Sequence, residues 1–279
     1  MATPNISPGS AVSPFLTYLN NNFHDFFNAT SGFFDNLIGG IAALLSMAPA
    51  PYVIVALAGI CTLVAGWRTG LLCLIGLWVC VNMGMWEPAV QTLALITIAV
   101  AFSLSIGMVI GVLLSRSEKM IAAARPVLDV MQTMPPWVYL VPAVVLFGLG
   151  AVPALLATII FGIPPMIRLT ILAMNQIPHN RIELGIAVGA KPKEIFWKIE
   201  LPSALPTLLI GVNQCVLLSL GMVVLAGLVG AGGLGSEVTR GLTRMEFGLG
   251  IRASLAIVIL ALILDRVCRG SIPAKYLNR

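Results

Sequence analysis

The sequence predicts an all-α protein, a polytopic transmembrane helical bundle of about seven spans. Of its 279 residues, 58% are apolar and only 10% are charged. The mean hydropathy is +0.99, which lies outside the range of soluble domains. The 16 Lys and Arg and 11 Asp and Glu residues also leave uncharged intervals long enough to cross a bilayer. These observations exclude a soluble enzyme, a nucleic-acid-binding protein and a disordered scaffold.

The amino-terminal part is predicted to contain a tail, an interfacial helix and two spans. Residues 1–35 are rich in Asn, Ser, Pro and Phe and form the tail. Residues 36–48 are too short a segment to cross a bilayer before Pro49 interrupts it, which favours an interfacial helix. Residues 52–66 and 69–86 are the first and second predicted spans.

The rest of the chain supplies five more predicted spans. Residues 88–115 form the third span. The 38 uncharged residues 130–167 exceed a single helix, so a turn containing Gly and Pro is predicted to divide them into the fourth and fifth. Residues 201–236 form the sixth span and residues 248–268 the seventh.

The distribution of basic residues predicts the orientation. The predicted spans place 13 of the 16 Lys and Arg residues on one side, which the positive-inside rule identifies as the cytoplasm. The amino terminus is therefore expected outside and the carboxyl terminus in the cytoplasm. The first basic residue is Arg68, so no cleavable signal peptide is predicted.

The segment between the fifth and sixth spans, NQIPHNRIELGIAVGAKPKEIFWKIELP, is predicted to form two short cytoplasmic helices. Asn180 can cap the first helix, with Glu183 three positions on to complete a capping box. Gly189 is expected to break this helix.

The second loop helix is predicted to begin at Pro192 and to stop before Pro202. Glu194 and Lys198 are spaced for a favourable i, i+4 pair. Large apolar side chains in both helices must be buried, either against the protein's own bundle or against a separate cytoplasmic subunit. They are Ile182, Ile186, Ile195, Phe196, Trp197 and Ile199.

The loop resembles the EAA loop in membrane subunits of ATP-binding-cassette (ABC) importers. Glu183, Gly189 and Ile199 have the spacing of that motif, and Leu201 and Pro202 complete it. In that family the loop docks into a groove on the cytoplasmic ATPase and carries its closing motion to the membrane.

The resemblance extends beyond the loop, over about residues 90–268. The segments 132–170 and 213–235 look specifically like the quaternary-amine branch, the permeases for glycine betaine, proline betaine and choline. Leu184 and Gly185 depart from the motif, because they stand where the family prefers two alanines.

The resemblance implies a type I ABC importer permease core in a bacterial cytoplasmic membrane. It also implies a second copy of the permease, cytoplasmic ATP-binding subunits, an extracytoplasmic substrate-binding protein and membrane lipid around the bundle, with no nucleic acid as partner. The implied segments are 1–48, a tail and interfacial helix; 49–87, two accessory helices; 88–270, the core, with its coupling loop at 175–202; and 271–279, a cytoplasmic tail.

The implied function is ATP-driven import of a quaternary ammonium osmolyte such as glycine betaine or choline, coupled to a separate ATPase through residues 180–202. The chain has no Gly-x-x-x-x-Gly-Lys-Ser/Thr phosphate loop, so it is expected to be non-catalytic and to bind no cofactor. ATP and Mg are expected on the partner ATPase. The implied coupling residues are Glu183, Gly185, Gly189, Ala190, Lys191, Pro192, Ile199, Leu201 and Pro202.

Two pairs of residues are candidates for the substrate pathway. Trp137 and Tyr139 follow a Pro-Pro break, and an aromatic face attracts a quaternary ammonium group, which has no N–H donor. Helix packing is their alternative role. Asn213 and Gln214 lie within the sixth span, where they either line the pathway or form interhelical hydrogen bonds.

Glycines mark two further features of the spans. The sequence AGLVGAGGLG at the outer end of the sixth span predicts a tight re-entrant turn or a gate. Gly107 and Gly111 in the third span have the spacing of closely packed membrane helices. The glycines of the predicted turn or gate are Gly230, Gly232, Gly233 and Gly235.

Charged residues near span ends are predicted to form local contacts. Asp129 is one turn after Arg125, which favours an i, i+4 ion pair, and Asp265 and Arg269 repeat the pattern. Arg252 is expected to extend towards the outer surface.

Other function classes fit less well. A membrane enzyme needs catalytic groups within the spans, but His24 and His179 lie outside them and the five cysteines sit in apolar stretches without CxxC spacing. An ion-coupled secondary transporter needs a mid-membrane carboxylate, whereas Asp129 and Asp265 lie at span ends. An ABC permease for another small solute and a purely structural membrane subunit are the remaining alternatives.

Overall fold

The computed structural model describes residue 14 and residues 17–271, and the described chain is a bundle of helices. The helices that organise it are α1 His24–Ser46, α2 Ala50–Ala65, α3 Trp67–Asn82, α4 Trp86–Ser115, α5 Glu118–Thr133, α6 Trp137–Phe147, α7 Ala151–Asn175, α8 His179–Ala187, α9 Pro192–Ile195, a π-helical turn Phe196–Glu200, α10 Leu201–Leu228, α11 Gly233–Thr243 and α12 Phe247–Gly270.

The all-α bundle predicted from the sequence is confirmed, with a span count close to the prediction. Four helices are long and apolar enough to cross a bilayer: α4, α7, the continuous helix Pro192–Leu228 and α12. Two bent pairs, α1 with α2 and α5 with α6, raise the number to as many as six. The second predicted span coincides with α3, an apolar helix of 16 residues that is shorter than the candidate spans.

The amino-terminal helix is longer than predicted. Instead of covering 36–48, α1 spans 23 residues from His24 and meets α2 at 101°. Aromatic packing explains the extension, because the Phe34 and Phe102 rings lie 5.4 Å apart and Phe27 packs on Phe147 at 5.2 Å. Residues 1–13, 15 and 16 of the predicted amino-terminal tail and residues 272–279 of the predicted carboxyl-terminal tail lie outside the described residues.

The prediction that the second loop helix stops before Pro202 is wrong. The helix continues from Pro192 to Leu228 through the π turn, in which the Leu201 N–H bonds to the Phe196 carbonyl. Proline has no N–H and its ring clashes with the carbonyl four residues earlier in an α-helix. The wider π turn just before Pro202 accommodates this residue without ending the helix.

The centre of the bundle is formed where α4 and α10 both pack against α7. A Cβ on Gly107 would lie 2.7 Å from the Met166 Cβ, and one on Gly111 would lie 2.5 Å from the Thr170 Cβ. The close approach predicted from the glycine spacing is therefore present. The Ser103 hydroxyl, buried in this contact, donates to the Ile159 carbonyl at 2.9 Å.

Of the two ion pairs predicted near span ends, one is present and one is wrong. Asp265 pairs with Arg269 at 2.9 Å. Arg252 donates to the Met83 carbonyl at 3.2 Å, between α3 and α4. Asp129, however, is paired with Arg168 of α7 and not with its helical neighbour Arg125. Packing of α5 on α7 brings this more distant arginine into reach.

The sixth span is also shorter than predicted. It ends at Leu228 instead of residue 236, and a turn then leads into the separate helix α11.

The helices α2 and α3 form a hairpin that packs against α12, where a Cβ on Gly76 would meet Ile259 at 2.7 Å.

Candidate functional site

The turn between α8 and α9 gives the loop its shape. Gly189 has φ +79°, a conformation that favours glycine, and its N–H bonds to the Ile186 carbonyl at 2.9 Å. The Ala190 N–H bonds to the Gly185 carbonyl at 3.0 Å. Gly189 therefore lies just beyond the end of α8, as its position in the sequence predicts.

The start of α8 differs from the prediction. The N-cap is Pro178, and no side chain caps the helix, so the capping box of Asn180 and Glu183 is wrong. Pro178 is extended and its carbonyl accepts the Arg181 N–H at 3.0 Å, which places Asn180 already inside the first turn. Asn180 is therefore two residues too late to act as the cap.

The start of α9 agrees with the prediction. Pro192 is the first helical residue, and the Glu194 carboxylate accepts the Lys191 N–H at 3.0 Å. The Lys198 ammonium donates to the same carboxylate at 3.2 Å. The backbone hydrogen bond from Lys191, followed by the Lys198 contact, lowers the pKa of Glu194 below its ordinary value. The carboxylate therefore stays ionised to a lower pH than an ordinary glutamate, and both contacts at the helix start depend on its charge.

Gly185 allows α8 to pack directly on the second loop helix. It is buried, and a Cβ at this position would lie 2.7 Å from Ile199 Cδ1 and 3.3 Å from Ile195 Cγ1. Ile195 is itself buried. Ile195 and Ile199 thus form the interior of the loop. The absence of a side chain at Gly185 lets α8 contact both of them.

Part of the loop surface is apolar and uncovered in the isolated chain. It carries Leu184, Ile186, Val188 and Trp197, which are 62% to 74% exposed. A groove of about 720 Å³ runs beside Ile186 and Trp197. We call these four residues the exposed loop face. Glu183, the first residue of the resemblance motif, is exposed beside it.

An ion pair between half-exposed Arg116 and buried Glu200 fixes the loop to the bundle, and the sequence did not predict it. Arg116 donates from its two terminal nitrogens to the Glu200 carboxylate at 2.8 and 2.5 Å. The Glu200 side chain is 7% exposed. This hydrogen-bonded carboxylate raises the pKa of the Arg116 guanidinium. The two residues are 84 positions apart, so no local pattern could pair them. The one hint in the sequence that Glu200 needs a partner was its position directly before a long apolar run.

The two candidate pathway pairs lie in different parts of the bundle. The Tyr139 hydroxyl donates to the Met131 carbonyl at 2.6 Å across the break between α5 and α6, and its ring lies 6.2 Å from Phe161. Trp137, at the start of α6, is 43% exposed. Asn213 and Gln214 instead line a cavity of about 290 Å³ beside α12.

Asn213 forms an interhelical hydrogen bond. Its amide donates to Asp265 at 3.0 Å, and Asp265 also accepts from Arg269 at 2.9 Å. This is the alternative to pathway lining that the sequence left open. The resulting cluster joins α10 to the end of α12.

The glycine-rich segment forms a turn at the carboxyl end of the helix Pro192–Leu228. Gly230, Gly232 and Gly233 have φ between +68° and +79°, which favours glycine. Gly235 packs against the carbonyl group of Val223, so that α10 and α11 touch through their backbones. The turn and the loop therefore lie at the two ends of one helix.

Comparison with known proteins relates this architecture to transport systems. Residues 103–269 match the family model of the binding-protein-dependent transport system inner membrane component. The chain is 42% identical over 258 residues to the glycine betaine/proline betaine transport system permease protein ProW of Escherichia coli. The aligned region covers 92% of this chain and 73% of that protein. It is 37% identical over 276 residues to the glycine betaine transport system permease protein OpuAB of Bacillus subtilis, covering 99% of this chain and 98% of that one.

The fold is similar to that of a solved transporter. A chain of the inward-facing MetNI methionine ABC transporter superposes with a TM-score of 0.57 and 27% sequence identity, over 70% of this chain and 96% of that chain. The match agrees with a type I ABC importer permease core.

Proposed function

The chain belongs to the family of binding-protein-dependent transport system inner membrane components, and we propose that it forms the translocation pathway for ATP-driven import of a quaternary ammonium osmolyte such as glycine betaine or choline. The relatives that match nearly the whole chain support this substrate class, since their names specify glycine betaine or proline betaine. The energy source is ATP hydrolysis in a partner subunit.

The observation that carries the coupling is the continuity of the helix Pro192–Leu228. Its 37 residues extend about 55 Å at the rise of an α-helix. The exposed loop face lies at its amino end and the glycine turn follows its carboxyl end. A displacement of the loop by an ATPase would therefore move a helix that crosses the whole bundle.

The exposed loop face is the proposed docking site for the ATPase. Four large apolar side chains exposed on an extramembrane loop are unfavourable in water, and they are stabilised when a partner with an apolar cleft covers them. Gly185 and Gly189 act indirectly: the first lets the loop pack and the second sets its turn. Glu183 contributes a charge at the edge of this surface.

Membership of the family supports a proposed assembly. The proposal contains a second copy of the permease in the bacterial cytoplasmic membrane, two cytoplasmic ATPases that bind ATP and Mg, and an extracytoplasmic substrate-binding protein. The amino terminus lies outside and the carboxyl terminus in the cytoplasm. The chain itself binds no nucleotide.

For a quaternary ammonium substrate, Trp137 is the candidate contact. The group is attracted to aromatic faces because it carries charge but no hydrogen-bond donor. Trp137 is partly exposed at the start of α6, whereas the Tyr139 hydroxyl is already bonded to Met131. Asn213 and Gln214 beside α12 are the second candidate group.

The experiment is substrate uptake into vesicles that contain the purified complex. We expect accumulation of labelled glycine betaine or choline only with ATP, with the ATPase present and with the substrate-binding protein supplied. Accumulation driven by an ion gradient, in vesicles that contain the chain without the ATPase, would instead identify a secondary transporter. Uptake of neither compound by an active complex would refute the substrate class alone.

A further inference from the structure

The inner ends of α4 and of the helix Pro192–Leu228 are joined by the Arg116–Glu200 pair. Arg116 is the C-cap of α4, and its guanidinium also lies 6.0 Å from the centre of the Phe196 ring. A bidentate arginine–carboxylate pair fixes direction as well as distance. The Arg116 side chain is 50% exposed and that of Glu200 7% exposed, so loss of the arginine would leave a buried carboxylate without its partner, which is costly. The end of α4 is therefore expected to follow the loop that carries Glu200.

The other ends of the same two helices are joined through the glycine turn. The Gln91 side chain accepts the Gly233 N–H at 2.8 Å, and the Thr92 hydroxyl accepts the Leu234 N–H at 2.9 Å. These donors belong to the first turn of α11, whose N–H groups have no partner within the helix. A Cβ on Gly233 would lie 2.6 Å from the Thr92 hydroxyl oxygen, so the contact requires glycine. The turn is thereby attached to α4.

The space between the two joined helices is filled by α7. Ser103 of α4 donates to the Ile159 carbonyl, and Cys215 of α10 donates to the Gly162 carbonyl at 3.2 Å. The 30 residues of α4 extend about 45 Å, so the two joints lie near opposite faces of the bundle. The arrangement is a closed frame with polar contacts at both ends and close packing between them.

We propose that Arg116–Glu200 and Gln91–Gly233 make α4 and the helix Pro192–Leu228 one rigid frame, which carries movement of the loop to the glycine turn. Arg116, Glu200 and Gln91 are positioning residues, because they act through the helices they join. The inference rests on the proposed function, since it assumes that an ATPase moves the loop. The inference goes beyond the proposed function, because it assigns the transmission of loop movement to Arg116–Glu200 and Gln91–Gly233. Docking of the ATPase on the exposed loop face does not require either contact.

The test uses the complete complex in vesicles and measures substrate taken up per ATP hydrolysed. The inner joint is changed by Glu200→Gln and the outer joint by Gln91→Leu, singly and together. The charge-exchanged variant Arg116→Glu with Glu200→Arg restores an ion pair in the opposite order. Glu118→Gln is the matched control, since it makes the same chemical change at an exposed residue near Arg116. The amount of co-purified ATPase is measured for every variant.

We expect each single joint variant to lower uptake per ATP about tenfold, with the co-purified ATPase unchanged. Uptake per ATP in the combined variant should be no more than about twofold below that of the more severely affected single variant. Once either joint is broken, the frame no longer transmits movement, so breaking the second joint has little further effect. The charge exchange should recover uptake per ATP to within about threefold of the unmodified complex. Glu118→Gln should match the unmodified complex.

Three outcomes would overturn the frame. Effects of the two joints that simply multiply would show that they act independently, and unchanged uptake per ATP in Glu200→Gln would show that the inner joint transmits nothing. Loss of the ATPase from Glu200→Gln would instead make Glu200 a docking residue. If the unmodified complex shows no ATP-dependent uptake, the proposed function fails as well, so the two failures can be distinguished.

Discussion

Gly235 provides a stringent test of the contact between α10 and α11. A Cβ at this position would lie 2.7 Å from the Val223 carbonyl carbon and closer still to its oxygen. Carbon atoms in favourable contact are about 3.5–4.0 Å apart, so the helices must separate by about 1 Å or more. Both groups in the clash are backbone or directly attached to it, and no side-chain rotation can relieve it. The contact can be relieved only by moving a helix.

We expect Gly235→Ala to destabilise the chain by about 3 kcal/mol, the upper part of the range for overpacked interiors. That corresponds to a midpoint about 6 °C lower in thermal unfolding. The measurement is unfolding of the purified protein in detergent, followed by tryptophan fluorescence at one fixed heating rate.

Gly221→Ala is the matched control for this substitution. Gly221 lies in α10, and a Cβ there would meet nothing within 4 Å. Its replacement by alanine should be neutral or should stabilise the helix by up to about 1 kcal/mol. Equal midpoints for Gly235→Ala and Gly221→Ala would refute the close backbone contact and the account of the glycine turn built on it.

Three further predictions concern the loop and the pathway. Glu183→Lys and Gly189→Asp should leave the permease folded but reduce the ATPase that co-purifies with it, because one changes a charge beside the exposed loop face and the other strains a turn at φ +79°. Trp137→Ala should lower uptake of a quaternary ammonium substrate several-fold, by about 1 kcal/mol or more, while substrate-binding protein still stimulates ATP hydrolysis. Glu194 has a lowered pKa, so its contribution to stability is full above the ordinary pKa of glutamate and is lost as the pH falls through the lowered value. ATPase co-purification should therefore weaken in acid for the unmodified protein and depend less on pH in Glu194→Gln.

Each of these three predictions has a control. Loop variants that retain the ATPase at the unmodified level would count against docking at this surface. Trp67→Ala removes another exposed tryptophan, on the accessory hairpin, and should leave uptake unchanged; equal effects of Trp67→Ala and Trp137→Ala would remove Trp137 from the pathway. An identical pH dependence in Glu194→Gln would show that this carboxylate does not govern the loop.

Local patterns in the sequence predicted several features of the loop. Pro192 at the first helical position and the pairing of Glu194 with Lys198 are both present, because they depend only on neighbours within one turn of helix. Asn180 was wrongly predicted as a cap, since Pro178 starts the helix two residues earlier. Whether the helix begins after Pro178 or after Asn180 depends on the path of the chain before the helix, which the local sequence does not specify.

Contacts between distant residues could not be predicted in the same way. Asp129 pairs with Arg168 and not with Arg125, Glu200 is buried against Arg116, and the Asn213 amide bonds to Asp265. Each partner comes from a different helix, so its identity depends on helix packing. The sequence could state that such polar groups need partners but not which residues would provide them.

Composition and the spacing of charges determined by themselves that this chain is a helical membrane bundle, because a bilayer requires long uncharged segments whose backbone groups bond within one helix. The loop motif together with segments 132–170 and 213–235 likewise pointed to the family, since each is a pattern of residues close in sequence. The tertiary structure decided that Pro202 is carried through a π turn, that α4 is joined to Glu200 near one end and to the start of α11 near the other, and that four apolar residues of the loop are left uncovered. These features depend on which helices lie side by side, and that is set by packing over the whole chain, beyond any single segment.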